Sequence, residues 1–162
     1  PFAATGWFAA GYLLIWILFA LIATGAQWQL ERAALLTPML ASASHVFGGM
    51  LLIAAGVYQW LAIKDACLTQ CQSPLKFIQQ HGRFSSTQHC ALKIGVRHGL
   101  YCVGCCWALM LLLFVGGVMN ILWIAGLTVL ILLEKIVPTG RLIPRIAGVI
   151  LMGLGLRLLL FT

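Results

Sequence analysis

Charge is scarce in this chain. Only 8% of its 162 residues are charged, and only three of them are Asp or Glu. A soluble domain carries roughly 25% charged residues, so this sequence has too little polar surface to face water on every side. It also lacks a phosphate-binding glycine loop, a nucleophile–base arrangement, and any interleaving of basic with stacking residues. Nucleotide chemistry, covalent hydrolysis and nucleic-acid binding therefore have no footing, and the chain is not expected to be an enzyme, redox activity alone remaining open. No signal peptide is read, because the first apolar run is far longer than an h-region and has no basic n-region before it. The first residue is Pro1 rather than Met, so a preceding segment is expected.

What the sequence does have is apolar length: 62% of the residues are hydrophobic. A helical span needs roughly 20 mostly apolar residues, and in lipid only helices or closed barrels satisfy their backbones. The expected fold class is all-α, a polytopic membrane bundle of about five transmembrane helices forming one domain over residues 1–162. The spans are placed at 7–28, 42–63, 99–119, 120–137 and 143–161, with a loop at 64–98. The run Gly116-Gly117-Val118-Met119-Asn120 makes the third and fourth spans a tight antiparallel hairpin. Trp7, Trp28, Trp60 and Trp123 fall near span ends, as interfacial anchors do, whereas Trp16 and Trp107 lie inside spans and read as packing residues.

The net charge of +7 then reads as orientation. In this arrangement Lys64, Lys76, Arg83, Lys93, Arg97, Lys135, Arg141 and Arg145 share the side of the long loop, leaving only Arg32 and Arg157 on the other. By the positive-inside rule the long loop is cytoplasmic. All six cysteines, Cys67, Cys71, Cys90, Cys102, Cys105 and Cys106, lie on that side or in the first turns of a span that starts there. In a reducing cytosol they are thiols rather than structural disulfides.

Two groups of these thiols are spaced for one helix face. His98, Cys102, Cys105 and Cys106 open the third span, with Met110 one turn further on. Cys67 and Cys71 stand four apart just past the second span, and converge if its helix continues beyond Ile63 towards Pro74. Thiolates and thioethers select Cu(I), Zn or iron–sulfur clusters. Zinc prefers four Cys or His ligands in a tetrahedron, while Cu(I) accepts fewer. The expected metal ligands are therefore Cys67, Cys71, Cys102, Cys105 and Cys106, with His98 and Met110 auxiliary, for Cu(I) first and zinc as the alternative.

The plain alternative is that each cysteine is a small buried hydrophobe. Adjacent Cys105 and Cys106 cannot both point the same way, Cys90 has no partner at helical spacing, and His98 has the position of a polar cap. His81 and His89 read as solvated loop residues, and His45 begins the second span at the far face. Met39, Met50, Met119 and Met152 read as lipid-facing or packing residues. Glu134 is the acid within reach of a span, so an ion pair with Lys135 or with another helix is expected. Asp65 is expected to pair with Lys64 or to neighbour the cysteines.

The run Ala55-Gly56-Val57-Tyr58-Gln59, then Lys64, Cys67, Leu68, Cys71 and Pro74, then Gly99, Cys102, Gly104, Cys105-Cys106-Trp107-Ala108-Leu109-Met110, Gly117-Val118-Met119-Asn120 and Glu134-Lys135 resembles one family. It is similar to bacterial predicted metal-binding integral membrane proteins, the domain of unknown function 2182, over about Phe8 to Leu156. The resemblance implies a bacterial inner (cytoplasmic) membrane, and a further Met-rich span before the present first residue that would lend ligands. It supports the fold and the positions more than any activity. The leading expectation is a membrane protein that binds Cu(I) through its cysteine cluster, for delivery or homeostasis, with the lipid bilayer and a metal-receiving protein as partners. One alternative is an accessory or structural subunit of a larger membrane metalloenzyme complex, consistent with the small-residue motif Gly95-x-x-x-Gly99. The other is a membrane thiol–disulfide oxidoreductase using Cys102-x-x-Cys105 with Cys67 and Cys71 as a relay.

Overall fold

The computed structural model describes residues 2–38, 40–73, 76, 79, 88–137 and 140–161. Met39, Pro74, His81 and Arg83, singled out above, lie outside the described residues. Everything regular among those described is helical: α1 (Phe2–Arg32), α2 (His45–Tyr58), α3 (Ala62–Gln72), α4 (Gln88–Leu111), the single turn α5 (Leu113–Gly116), α6 (Ile121–Ile136) and α7 (Leu142–Leu160).

Three stretches are long and apolar enough to cross a membrane: α1, α4 with α5, and α7. The pair α2 and α3 qualifies as a fourth when taken as one broken span, bent by 68°. At 16 residues, α6 is about 24 Å long, short of a hydrocarbon core of roughly 30 Å. The 64–98 segment differs from a plain loop, since helix occupies both of its ends. The fourth helix begins at Gln88, not at Gly99. Its first turns, Gln88 to His98, carry most of its polar side chains and run without a break into the apolar part.

Helix ends follow local chemistry. The Ser44 hydroxyl accepts from the Phe47 amide to start α2, and the Asn120 side chain accepts from the Trp123 amide to start α6. Between α5 and α6, Gly117 has a φ of 93°, which makes the tight hairpin expected at this position.

Packing rests on two glycine-lined pairs. Parallel helices α1 and α4 meet where a Cβ at Gly95 would fall on the Phe8 carbonyl, and where one at Gly11 would fall on the Leu92 carbonyl. Antiparallel helices α2 and α7 meet at glycines seven residues apart on each helix. A Cβ at Gly56 would lie 2.8 Å from the Gly148 oxygen, and one at Gly155 would lie 2.8 Å from the Gly49 oxygen. Such close backbone approach gains dispersion contacts where no water is available to drive association. Between the pairs, Leu52, Ala55, Ala108, Leu109, Leu112, Leu127 and Leu151 form a common core. Large apolar side chains face outward all round, among them Leu21, Ile22, Ile121, Leu122 and Leu160. A surface of that kind on a monomer marks contact with lipid or another protein.

The glycine contacts make a direct prediction. Gly95→Ala is expected to destabilise the fold by about 1–3 kcal/mol through overpacking, read as a lower midpoint of thermal unfolding in detergent. Gly126→Ala, with nothing near its Cβ position, is expected to be neutral or to stabilise by up to about 1 kcal/mol.

Candidate metal centre

The chain turns a sharp corner before the first cysteine pair. Helix α2 ends at Tyr58, and the Trp60 and Leu61 amides bond back to Val57 and Tyr58 in a tightened last turn. Leu61 then takes an extended conformation and α3 begins at Ala62. Three buried polar side chains hold this corner. Lys64 is 0% exposed and its ammonium lies 2.7 Å from a Glu134 carboxylate oxygen on α6. The Gln59 amide donates to the other Glu134 oxygen at 2.7 Å, and Lys64 also donates to the Gln59 carbonyl. Gln72, at the far end of α3, donates to the Glu134 backbone oxygen at 2.7 Å. The helix does not run straight on past Ile63: it breaks after Tyr58, and the partners of Lys64 lie to one side of the bend.

This network settles the partners of the two acids. Glu134 pairs across helices with Lys64 rather than with its neighbour Lys135. Asp65 pairs with Arg141, at 2.9 Å, rather than with Lys64.

Held in this way, α3 lies against α4 and runs in the opposite sense. Cys67 faces Gly104, whose missing side chain leaves room for the sulfur: a Cβ there would lie 3.0 Å from Cys67 Sγ. One turn on, Cys71 Sγ lies 2.7 Å from Cys102 Sγ. Leu68, Cys105 and Cys106 form a buried cluster with Trp16, Cys67, Cys71, Met110 and Ile131 packed round it. Tyr58 ties α2 to the same place, donating to the Gly104 carbonyl and packing edge-on against Trp107. The thiols sit near the middle of the helix and at the start of its charge-free part, which follows Arg97.

Each expected ligand now has a position. Cys102 is the hub. His98 Nε2 lies 3.9 Å from its sulfur, and the imidazole makes tilted contacts with the rings of Phe8 and Tyr12 on α1, each 5.9 Å between centroids. Cys105 and Cys106 both donate to the Cys102 carbonyl at 3.1 Å, so the adjacent pair turns back to the same oxygen. Met110 packs against the cluster from one turn further along α4. Cys90 is half-buried in the first turn of α4, about 12 Å along the helix from His98. His45 and His89 are exposed.

Among the described residues, no three His, Cys, Asp or Glu side chains are placed to close round one ion. The closest approach of donors is the Cys71–Cys102 pair. On α3, hydrogen bonding to Cys102 and Cys105 pushes the Cys71 thiol up, and burial, followed by the nearby Cys105, pushes Cys67 up. An ion that binds these thiols displaces their protons.

A family model described as PpoB2, copper chaperone, matches residues 1–158. The chain belongs to that family. No curated protein and no solved structure matches it. Copper is the metal the family description names, and the donor chemistry of this cluster suits it. Soft sulfur donors dominate, and the nearest two come from different helices.

Sequence spacing brought out every cysteine in this cluster, together with His98 and Met110. It missed the contribution of α1, whose Tyr12 and Trp16 approach the thiols with only aromatic periodicity to signal them. It expected Glu134 to pair with Lys135 or with another helix, but did not name Lys64 and Gln59, which lie 70 and 75 residues from it.

Two predictions test this geometry. Lys64→Met alone leaves a buried carboxylate and is expected to cost about 3–5 kcal/mol. In Lys64→Met/Glu134→Gln no charge remains and an amide can still pair with Gln59, so most of the loss should be recovered. Thermal unfolding in detergent compares the two, and equal destabilisation would contradict the ion pair. Mild oxidation of the reduced protein should join Cys71 to Cys102 before any other pair, read by peptide mass mapping. A first bond at Cys67 or Cys90 would contradict the register of α3 on α4.

Proposed function

We propose that this chain is a membrane-embedded copper chaperone that takes Cu(I) at the Cys71–Cys102 pair and passes it to a receiving protein. The observation that carries the reading is the meeting of these two thiols across α3 and α4 in a chain of the copper chaperone family. Cu(I) is satisfied by two thiolates, whereas tetrahedral zinc asks for four ligands. Cys67, Cys105, Cys106, Met110 and His98 then serve as neighbouring donors. A set of sulfurs larger than one ion needs suits stepwise hand-over. Cys105 and Cys106 join in by exchanging their bond to the Cys102 carbonyl for the metal.

The membrane setting is part of the same proposal. The chain crosses five times, with α6 as the short fourth span. Parallel α1 and α4 and antiparallel α2 and α7 agree with an up-and-down order of five spans. Helix α3 and the connection to α4 lie on the cytoplasmic side, where Lys93, Arg97, Arg141 and Arg145 gather. Beyond Met110 the path along α4 and α6 is apolar, which favours delivery at one face over transport across the bilayer.

The second reading, thiol–disulfide exchange, has its own observation. The same 2.7 Å approach of Cys71 and Cys102 would serve a redox pair, in place of the Cys102-x-x-Cys105 pair that spacing alone nominates.

Metal analysis of protein from copper-supplied cells, purified anaerobically in detergent with thiols counted in the same sample, separates these readings. Near-stoichiometric copper is expected in the wild type and in Cys90→Ser, with loss in Cys71→Ser/Cys102→Ser. Absence of metal with Cys71 and Cys102 recovered as a reversible disulfide would replace the copper reading with the redox one. Absence of metal with inert free thiols would overturn both.

A further inference from the structure

Among the described residues, Lys135 forms no ion pair with a carboxylate. The chain holds three acidic residues in all, and each is committed. Glu134 is taken by Lys64 and Gln59. Asp65 is taken by Arg141. Glu31 accepts from Gln27, one turn away on α1. Yet Lys135 is half-buried, and a cation drawn out of water needs a counter-charge.

Its surroundings supply one only through sulfur. The ammonium stands over the Trp16 ring, 5.8 Å from its centroid, and Trp16 packs against the buried cluster of Leu68, Cys105 and Cys106. Ile131, one turn before Lys135 on α6, packs on the same cluster, so the lysine stands beside the thiols from its own helix as well. Lys64 also reaches Cys105 electrostatically, but Glu134 already cancels its charge. Among the described residues, Lys135 is thus a cation beside the thiols whose charge no ion pair with a carboxylate cancels, whereas Lys64 and Arg141 are each paired.

We propose that Lys135 belongs to the metal site as its counter-cation, and that it biases a two-thiolate site towards a monovalent ion; this rests on the copper reading above. Two thiolates holding Cu(I) carry one net negative charge, which Lys135 cancels. Two thiolates holding Zn(II) are already neutral, and Lys135 then leaves an uncompensated positive charge in low-dielectric surroundings. The fixed ammonium thus stabilises the first complex and penalises the second. The ordinary alternative is that Lys135 stabilises the C-terminal end of α6 through the helix dipole. In that case it would act on folding, with no preference between ions.

The test compares wild type, Lys135→Met and Lys135→Arg in detergent under anaerobic conditions. Cu(I) affinity is measured by competition with a chromogenic Cu(I) chelator, and Zn(II) affinity by competition with a zinc indicator. Lys135→Met is expected to weaken Cu(I) on the order of tenfold while leaving Zn(II) unchanged or tighter. Lys135→Arg, which keeps the charge, should retain most of the Cu(I) affinity. Equal Cu(I) affinity in wild type and Lys135→Met would overturn the counter-cation role and leave the copper reading standing. Parallel loss of both ions, or failure of Lys135→Arg to rescue, would assign Lys135 to structure and overturn it too. A wild type that binds no Cu(I) would overturn the copper reading and this inference with it.

Discussion

The corner between α2 and α3 depends on a buried charge pair. Lys64 and Glu134 are almost wholly removed from solvent, and two charges in such a place persist only when each finds a close partner and further hydrogen bonds. Gln59 supplies both kinds, donating to the carboxylate and accepting from the ammonium. Because the three groups come from α2, α3 and α6, their meeting fixes the direction in which α3 leaves the corner. Without that direction Cys71 would not meet Cys102. A polar interaction of modest net energy thus decides where the soft donors of α3 lie.

Around that corner, the bundle is built by close backbone approach. Glycines at the α1–α4 and α2–α7 seams let helices touch where side chains would hold them apart. The consequence for the metal centre is proximity. Helix α1 comes near enough for Tyr12 and Trp16 to wall the thiols, and Gly104 admits the sulfur of Cys67. The thiols therefore share a pocket of aromatic and aliphatic groups. There a bare anion is costly. The proposed copper role rests on that setting: several sulfurs for a soft ion, in a surrounding that excludes competing hard ligands.

Much of this was legible in the residue order. Apolar length and scarce charge announced a helical protein with several helices long enough to cross a bilayer. Helical spacing placed His98, Cys102, Cys105, Cys106 and Met110 along one helix, and Cys67 with Cys71 along another. Gly95 and Gly99 announced a helix contact, and Gly116 to Asn120 a hairpin. These are local matters, set by periodicity, backbone freedom and solvent preference within a turn or two of helix.

The tertiary structure decided which of these features meet. The sequence could not say that Glu134 would choose Lys64 over adjacent Lys135, since the choice depends on a bend that carries Lys64 inward. Nor could it say that Cys71 would meet Cys102, which needs α3 to fold back along α4. The role left to Lys135 follows only once Asp65, Glu31 and Glu134 are each seen to be occupied. Spacing along a chain fixes neighbours on one helix. Partners on different helices are chosen by packing and by the cost of burying charge, and those are properties of the assembled bundle.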